Sequence, residues 1–313
     1  MRARAVMART SPAHDVRLFC SGAAWPILNG LPQVEEVDPC NPGSGTWRAF
    51  RRRLVGDLER LSRISPRLVV SDGDGPSVHA AAALRIPVLA IGHGLIFRHV
   101  RHHSPLPRGP LWREIVNSMT SSWPAQRRVA VHFAPAEPRT EGTTVARPDL
   151  PLAIPLDLGA EDFILAYFRD DDGTEVVEQL VDRGHRVVLF GRLDRPHAKV
   201  EVRAPDVEDF FEALVRCRAV VGSAGNQLPA ECAMLAKPML ALHGEDDVEQ
   251  RLNAQLVEAA GIGIGGALHD CTPLLLRRFE AELDKPRDEL AVRTRAMLPV
   301  SEVVPLLLEE MLD

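Results

Sequence analysis

Short apolar runs alternate with longer stretches in which apolar positions recur every three or four residues. Between residues 47 and 64, Trp47, Phe50, Leu54, Leu58 and Leu61 fall on one helical face. Arg51, Arg52 and Arg53 begin the opposite, solvated face. HDVRLFCSG, PRLVVSDG and PVLAIG read as strands, and residues 76–84 as the helix between the last two. Continuous apolar runs between helices predict strands buried on both faces, hence a parallel sheet. Residues 93–110 carry Pro, His and Gly and read as a loop. A helix over 111–122 and strands near 128–133 and 143–146 follow.

RPDLPLAIPLDLG, residues 147–159, holds three prolines and little periodicity, the pattern of a linker. The rhythm then restarts. FILAYF, HRVVLFG, KVEVRA, RAVVG and PMLAL read as strands, with helices over 173–183, 206–216, 226–236 and 247–260. GIGIGG reads as a short strand, and helices over 271–284, 287–297 and 301–312 close the chain. The expected fold class is therefore α/β, with two tandem Rossmann-like, doubly wound units over 1–150 and 151–313 and a cleft between them. In such sheets ligands bind beyond the carboxyl ends of the strands. That rule singles out the loops after VVSD, LAIG, VVG and LAL.

Charge is divided between the halves. Residues 1–150 carry 20 arginines and no lysine against 12 carboxylates, whereas 151–313 carry 17 basic groups against 31 acidic ones. The net values are thus +8 and −14, within an overall −6. A basic first half suits an anionic acceptor or peripheral contact with an acidic membrane surface, although a solvated surface is the plainer reading. No basic stripe interleaved with aromatics points to nucleic acid. Cys20, Cys40, Cys217, Cys232 and Cys271 form no C-x-x-C and are odd in number. This pattern, with no secretory signal, fits a reducing cytoplasm. His99, His102 and His103 lie near no Cys or carboxylate and read as part of a basic loop rather than a metal site.

The most informative segment is 218–265. An apolar strand ends at Gly222, and Ser223, Ala224, Gly225 and Asn226 make a turn of small residues before a helix with Pro229 in its first turn. Small residues let the backbone approach a ligand, and N–H groups at a helix start suit a phosphate. Glu231 lies just over one turn into that helix, where an acceptor-only carboxylate suits ribose hydroxyls. The next strand leads into HGEDDVEQ, which brings Glu249 and Gln250 to the same rim, where they suit sugar hydroxyls. Taken singly, each feature is also an ordinary turn or a solvated side chain; their combination favours a nucleotide-sugar site.

This segment resembles the donor-site signature of GT-B glycosyltransferases of the UDP-glycosyltransferase and MurG-like type. Those proteins show a Gly-rich turn, a helical Glu, "GKP", a strand, and an acidic-Gln pair before an Asn. Here GSAGN, Glu231, Ala236-Lys237-Pro238, MLAL, Glu249-Gln250 and Asn253 stand in that order. RLVVSDGDGPSVHAAAALRIPVLAIGHG is similar to a segment of the family's first domain. The resemblance implies that Ser223, Ala224, Gly225 and Asn226 contact a diphosphate, that Glu231 binds ribose, and that Glu249 and Gln250 bind the donor sugar. It implies a nucleoside-diphosphate sugar as donor substrate, UDP-linked, with no cofactor and no metal. The acceptor is a small molecule, a glycan or a lipid-linked sugar.

Two departures accompany the resemblance. Many members carry His-Gly-Gly at the turn, where Ser223, Ala224 and Gly225 stand here. The opening MRARAVMARTSPAHDVRLF reads as the helix that follows the family's first strand and Gly-rich, His-bearing loop. An absent central strand leaves unpaired backbone and an open edge. With the usual His position missing, His93 after LAIG is the candidate base and Asp72 after LVVS the group to orient it; an ordinary loop histidine is the plainer reading of His93. Two rival readings are a nucleotide-sugar 2-epimerase, which needs no acceptor, and a non-catalytic nucleotide-sugar-binding protein.

Overall fold

The structure is a computed structural model that describes residues 2–10, 12–31, 33–38, 46–102, 106–150, 158–169, 173–193 and 197–313. The first half contains helix α1 (Arg2–Thr10), strand β1 (Leu18–Cys20), the single-turn α2 (Trp25–Leu28), β2 (Val34–Glu36) and α3 (Thr46–Ile64). It continues through β3 (Val69–Asp72), α4 (Gly75–Ala83), β4 (Val88–Gly92), α5 (Ile96–His99), α6 (Arg108–Ser122), β5 (Arg127–Val131) and β6 (Thr143–Ala146). Most of the expected linker, residues 151–157, lies outside the described residues.

The second half contains β7 (Ile164–Tyr167), α7 (Thr174–Asp182), β8 (Val187–Phe190), β9 (Val200–Arg203), α8 (Val207–Arg216), β10 (Ala219–Ser223) and α9 (Gln227–Met234). Then come β11 (Met239–His243), α10 (Val248–Ala259), β12 (Gly263–Ala267), α11 (Pro273–Glu280), α12 (Asp288–Ala296) and α13 (Val300–Leu312).

The second half is one parallel sheet in the order β12-β11-β10-β7-β8-β9. Its central strands are buried on both faces, as continuous apolar runs such as VVLF and MLAL require. Chain order reverses between β7 and β10, so the crevice beyond their carboxyl ends is the expected ligand position. The approach of these two strands is close: a Cβ at Gly222 would stand 2.3 Å from the Tyr167 carbonyl oxygen.

The first half departs from this plan. Strands β3-β4-β5-β6 form one parallel sheet, while among the described residues β1 and β2 pair only with each other. The division alters one expectation, that the first-half strands are buried on both faces. Whereas β4 is buried throughout, β3 alternates, with Val69 and Ser71 buried and Val70 and Asp72 exposed. As an edge strand, β3 is covered on one face only.

The last helix returns to the first half. Arg147 N–H donates to Leu298 O and Val300 N–H donates to Arg147 O, which sets the course of α13. Its Val300, Val303, Val304 and Leu308 then pack on Leu89, Ile91, Val129 and Val131. Among the described residues, no helix is long and apolar enough to cross a membrane. Cys20, Cys217, Cys232 and Cys271 are buried free thiols, and Cys40 lies outside the described residues.

Candidate functional site at the carboxyl edge of the second sheet

A cavity of about 290 Å³ opens at the carboxyl ends of β7, β10 and β11. It is lined by Phe168, Ser223, Leu242, Gln250, Leu268 and the acidic loop Gly244–Asp247. The turn after β10 is built from its own backbone: Ala224 N–H donates to Leu242 O, and Gly225 N–H to Ser223 O. Ser223 Oγ accepts the Arg169 backbone N–H at 3.0 Å, tying the end of β7 to the turn. Asn226 stands at the N-cap of α9, and its Oδ1 is buried with no hydrogen-bond partner among the described residues. A buried acceptor without a donor costs about 1–3 kcal/mol.

Arg169 was not singled out in the sequence. Its guanidinium pairs with Asp247 Oδ2 at 2.9 Å, which places a cation beside the turn and the acidic loop. Its position directly beyond FILAYF, at a strand's carboxyl end, is the signal that could have found it. Asp247 caps α10 by accepting Gln250 N–H at 2.9 Å. That cap directs the first turn of α10 and so the side chains of Glu249 and Gln250.

The structure brings some of the expected donor-site residues together and separates others. Ser223 and Gln250 line the cavity; Ala224, Gly225, Asn226, Glu231 and Glu249 do not. Glu231 is buried on the inner side of α9, only 4% exposed, and accepts Gln227 Nε2–H at 2.8 Å. Gln227 Nε2 also donates to Asp149 O, so Glu231 faces the start of the linker region. Burial pushes the Glu231 carboxyl up to about 7, with the Gln227 bond opposing. Glu249 is half exposed and points across the cleft, its Oε1 4.0 Å from His93 Nε2.

The halves meet along α6 and α10. Here His93 is buried, with Nδ1 2.8 Å from Val131 O and Nε2 2.8 Å from Asn253 Oδ1. Asn253 Nδ2 in turn donates to Ala224 O, in the small-residue turn. His93 therefore joins the end of the first sheet to the turn of the second. Both of its nitrogens face oxygens, so a free lone pair for a base requires release from Asn253. Asp72 is not among its partners; it lies exposed at the end of β3. Glu114 on α6 is buried near this seam, its carboxyl raised first by desolvation and further by the Glu249 and Asp247 carboxylates.

His99, read as part of a loop, is buried in α5 between Thr140 Oγ1 and Ser122 Oγ, at 2.8 and 2.9 Å. Burial lowers it to about 4, so it is a neutral, structural histidine. Residues 96–99 are thus helical where a loop was expected, because Ile96 and Phe97 bury in the core. His103 lies outside the described residues. Among the described residues, no group of three or more His, Cys, Asp or Glu side chains is arranged to hold a metal ion.

The sequence profile of glycosyl transferase family 1 matches residues 49–284. The fold is similar to that of the glycosyltransferase SnogD from Streptomyces nogalater, with 18% identity, TM-score 0.63, and coverage of 98% of this chain and 94% of that one. It is similar to Acinetobacter baumannii MurG, with 15% identity, TM-score 0.64, and coverage of 98% and 95%. A UDP-GlcNAc 2-epimerase from Neisseria meningitidis, bound to UDP-GlcNAc, matches with 14% identity, TM-score 0.62, and coverage of 99% and 98%. No curated protein sequence matches. The tandem α/β units with a cleft between them are those of the GT-B fold.

Proposed function

The chain belongs to glycosyl transferase family 1, and from that premise we propose that it moves a sugar from a UDP-linked donor to an acceptor hydroxyl. The observation that carries this reading is the turn after β10, at the point where strand order reverses. There Ser223 and Gln250 line the cavity beside the start of α9, and Arg169, paired with Asp247, stands on the same rim.

The diphosphate would lie against the α9 start, with Arg169 supplying a further positive charge. Gln250 and the Glu245–Asp247 loop would take the sugar hydroxyls, which are donors to carboxylates. In the transfer, the acceptor oxygen bonds to the anomeric carbon while the bond from that carbon to the diphosphate oxygen breaks. The diphosphate leaves with the bonding pair, and the hydroxyl proton passes to a base of the first half. His93 and Asp72 are the two candidates. The exposure of Asp72 at a strand end favours it, and His93 serves as base only once it parts from Asn253. No metal is invoked, since the N–H groups and Arg169 oppose the developing charge.

The divided first-half sheet and the committed ring of His93 support a second reading, a protein that binds nucleotide sugar without turnover. Incubation with UDP- and dTDP-sugars and a panel of hydroxyl acceptors separates these readings. Acceptor-dependent release of nucleoside diphosphate is the expected result. Interconversion of the sugar nucleotide without an acceptor would instead indicate a 2-epimerase, and saturable binding without release would indicate the binding protein.

A further inference from the structure

A second cavity of about 170 Å³ lies between the halves, beyond the far end of α10 from the candidate donor site. Its first-half wall is Arg101, His102, His132 and Ala134–Ala136; its second-half wall includes Leu256, Leu290 and Arg293. Gln250 and Ala259 mark the two sites on α10, and nine residues of helix separate them by about 14 Å. The two cavities share no lining residue.

Three features of this second cavity point to an anion. Arg101 and Arg293 come from opposite halves, and neither forms an ion pair with a described residue. Both residues are exposed, so each guanidinium has the freedom to reach a negative charge held in the cavity. His132 is 4% exposed and lines the cavity. Its Nδ1 accepts the Phe133 N–H at 2.9 Å, which fixes the ring proton on Nε2, and no described group accepts it. Burial first, then the neighbouring His93 and His102, hold this imidazole well below its ordinary range, so it offers a donor without adding a charge.

We propose that this cavity binds a phosphate monoester with a short apolar body. The dianionic head would bridge Arg101 and Arg293 and accept the His132 Nε2–H, and the body would lie on Leu256 and Leu290. Charge decides for phosphate over carboxylate: two guanidiniums are matched by a dianion and left in excess by a monoanion. The ligand would bridge both halves, so its binding depends on groups from each. The site is independent of whatever the 223–226 turn holds.

The test is a calorimetric titration of the full chain with n-butyl phosphate, inorganic phosphate, butyrate and n-butanol. The expected order is n-butyl phosphate tightest, inorganic phosphate and butyrate weaker, and n-butanol silent. Arg101→Gln and Arg293→Gln, both at exposed positions, should each weaken n-butyl phosphate by about tenfold or more. Ser223→Ala should leave it unchanged. Absence of saturable binding at millimolar ligand would overturn the proposal. So would binding that survives both arginine substitutions, or binding lost in Ser223→Ala, which would move the phosphate to the turn after β10.

Discussion

The two sheets of this molecule are built to the same plan and finished to different degrees. The second-half sheet is continuous, its central strands covered on both faces and β10 held against β7 through a glycine. The first-half sheet is divided, with β1–β2 apart from β3–β6 and Val70 of β3 40% exposed. The difference has a functional side. The groups suited to a nucleotide stand on the finished sheet, whereas the candidates for proton transfer stand on the divided one. The proposed nucleotide site therefore rests on firmer structure than the proposed proton transfer does.

The strongest way to break this comparison is at Gly222. A Cβ there would stand 2.3 Å from the Tyr167 carbonyl oxygen, so backbone must move. Gly222→Val should destabilise the second half by about 4 kcal/mol or more, whereas Val70→Thr on the open edge should stay within about 0.5 kcal/mol. Denaturant unfolding of both variants checks the contrast. Hydrogen exchange sharpens it: amides of β7 and β10 should exchange at least about 100-fold more slowly than those of β1 and β2.

Glu231 supplies a third prediction, one that depends on pH. Its carboxyl is raised to about 7 in the fold, so it is neutral there below that pH. In the unfolded chain it ionises near its ordinary value of about 4.3. Stability is therefore lost as pH rises from about 4 to about 7, and the loss is complete above 7. Glu231→Gln removes it, and should be more stable than wild type by roughly 3 kcal/mol at pH 8 and no different at pH 4. A smaller effect than that of Glu231→Gln is expected at Ala236, which sits in left-handed backbone at φ 57° before Lys237-Pro238. Ala236→Gly should stabilise by about 0.5–1 kcal/mol, relief of strain offset in part by unfolded-state entropy.

The sequence pattern carried the alternation of strands and helices, because buried parallel strands need unbroken apolar runs and caps announce helix starts. It carried the small-residue turn at 222–226 and the place of Gln250 at the cavity for the same local reasons, whereas Glu249, expected beside it, lies outside the cavity lining. Other features depend on contacts distant in sequence. β2, VEE, is too short and polar to show a strand period and exists only through β1. The return of α13 to the first sheet is set by Arg147, some 150 residues upstream. The burial of Glu231 follows from Gln227 and Asp149, and the commitment of both His93 nitrogens from Val131 and Asn253. No periodicity encodes those pairings.

The central claim is that the finished second-half sheet carries a nucleotide site at the turn after β10. Calorimetric titration of wild type and Gln250→Ala with UDP, dTDP, GDP, ADP and a UDP-sugar tests it most directly, with circular dichroism confirming that both chains are folded. The account predicts saturable binding with UDP preferred, and UDP-sugar binding weakened by Gln250→Ala while UDP itself is little changed, since the proposed site sets the sugar against Gln250. Folded wild-type protein that binds none of the four nucleotides would contradict it.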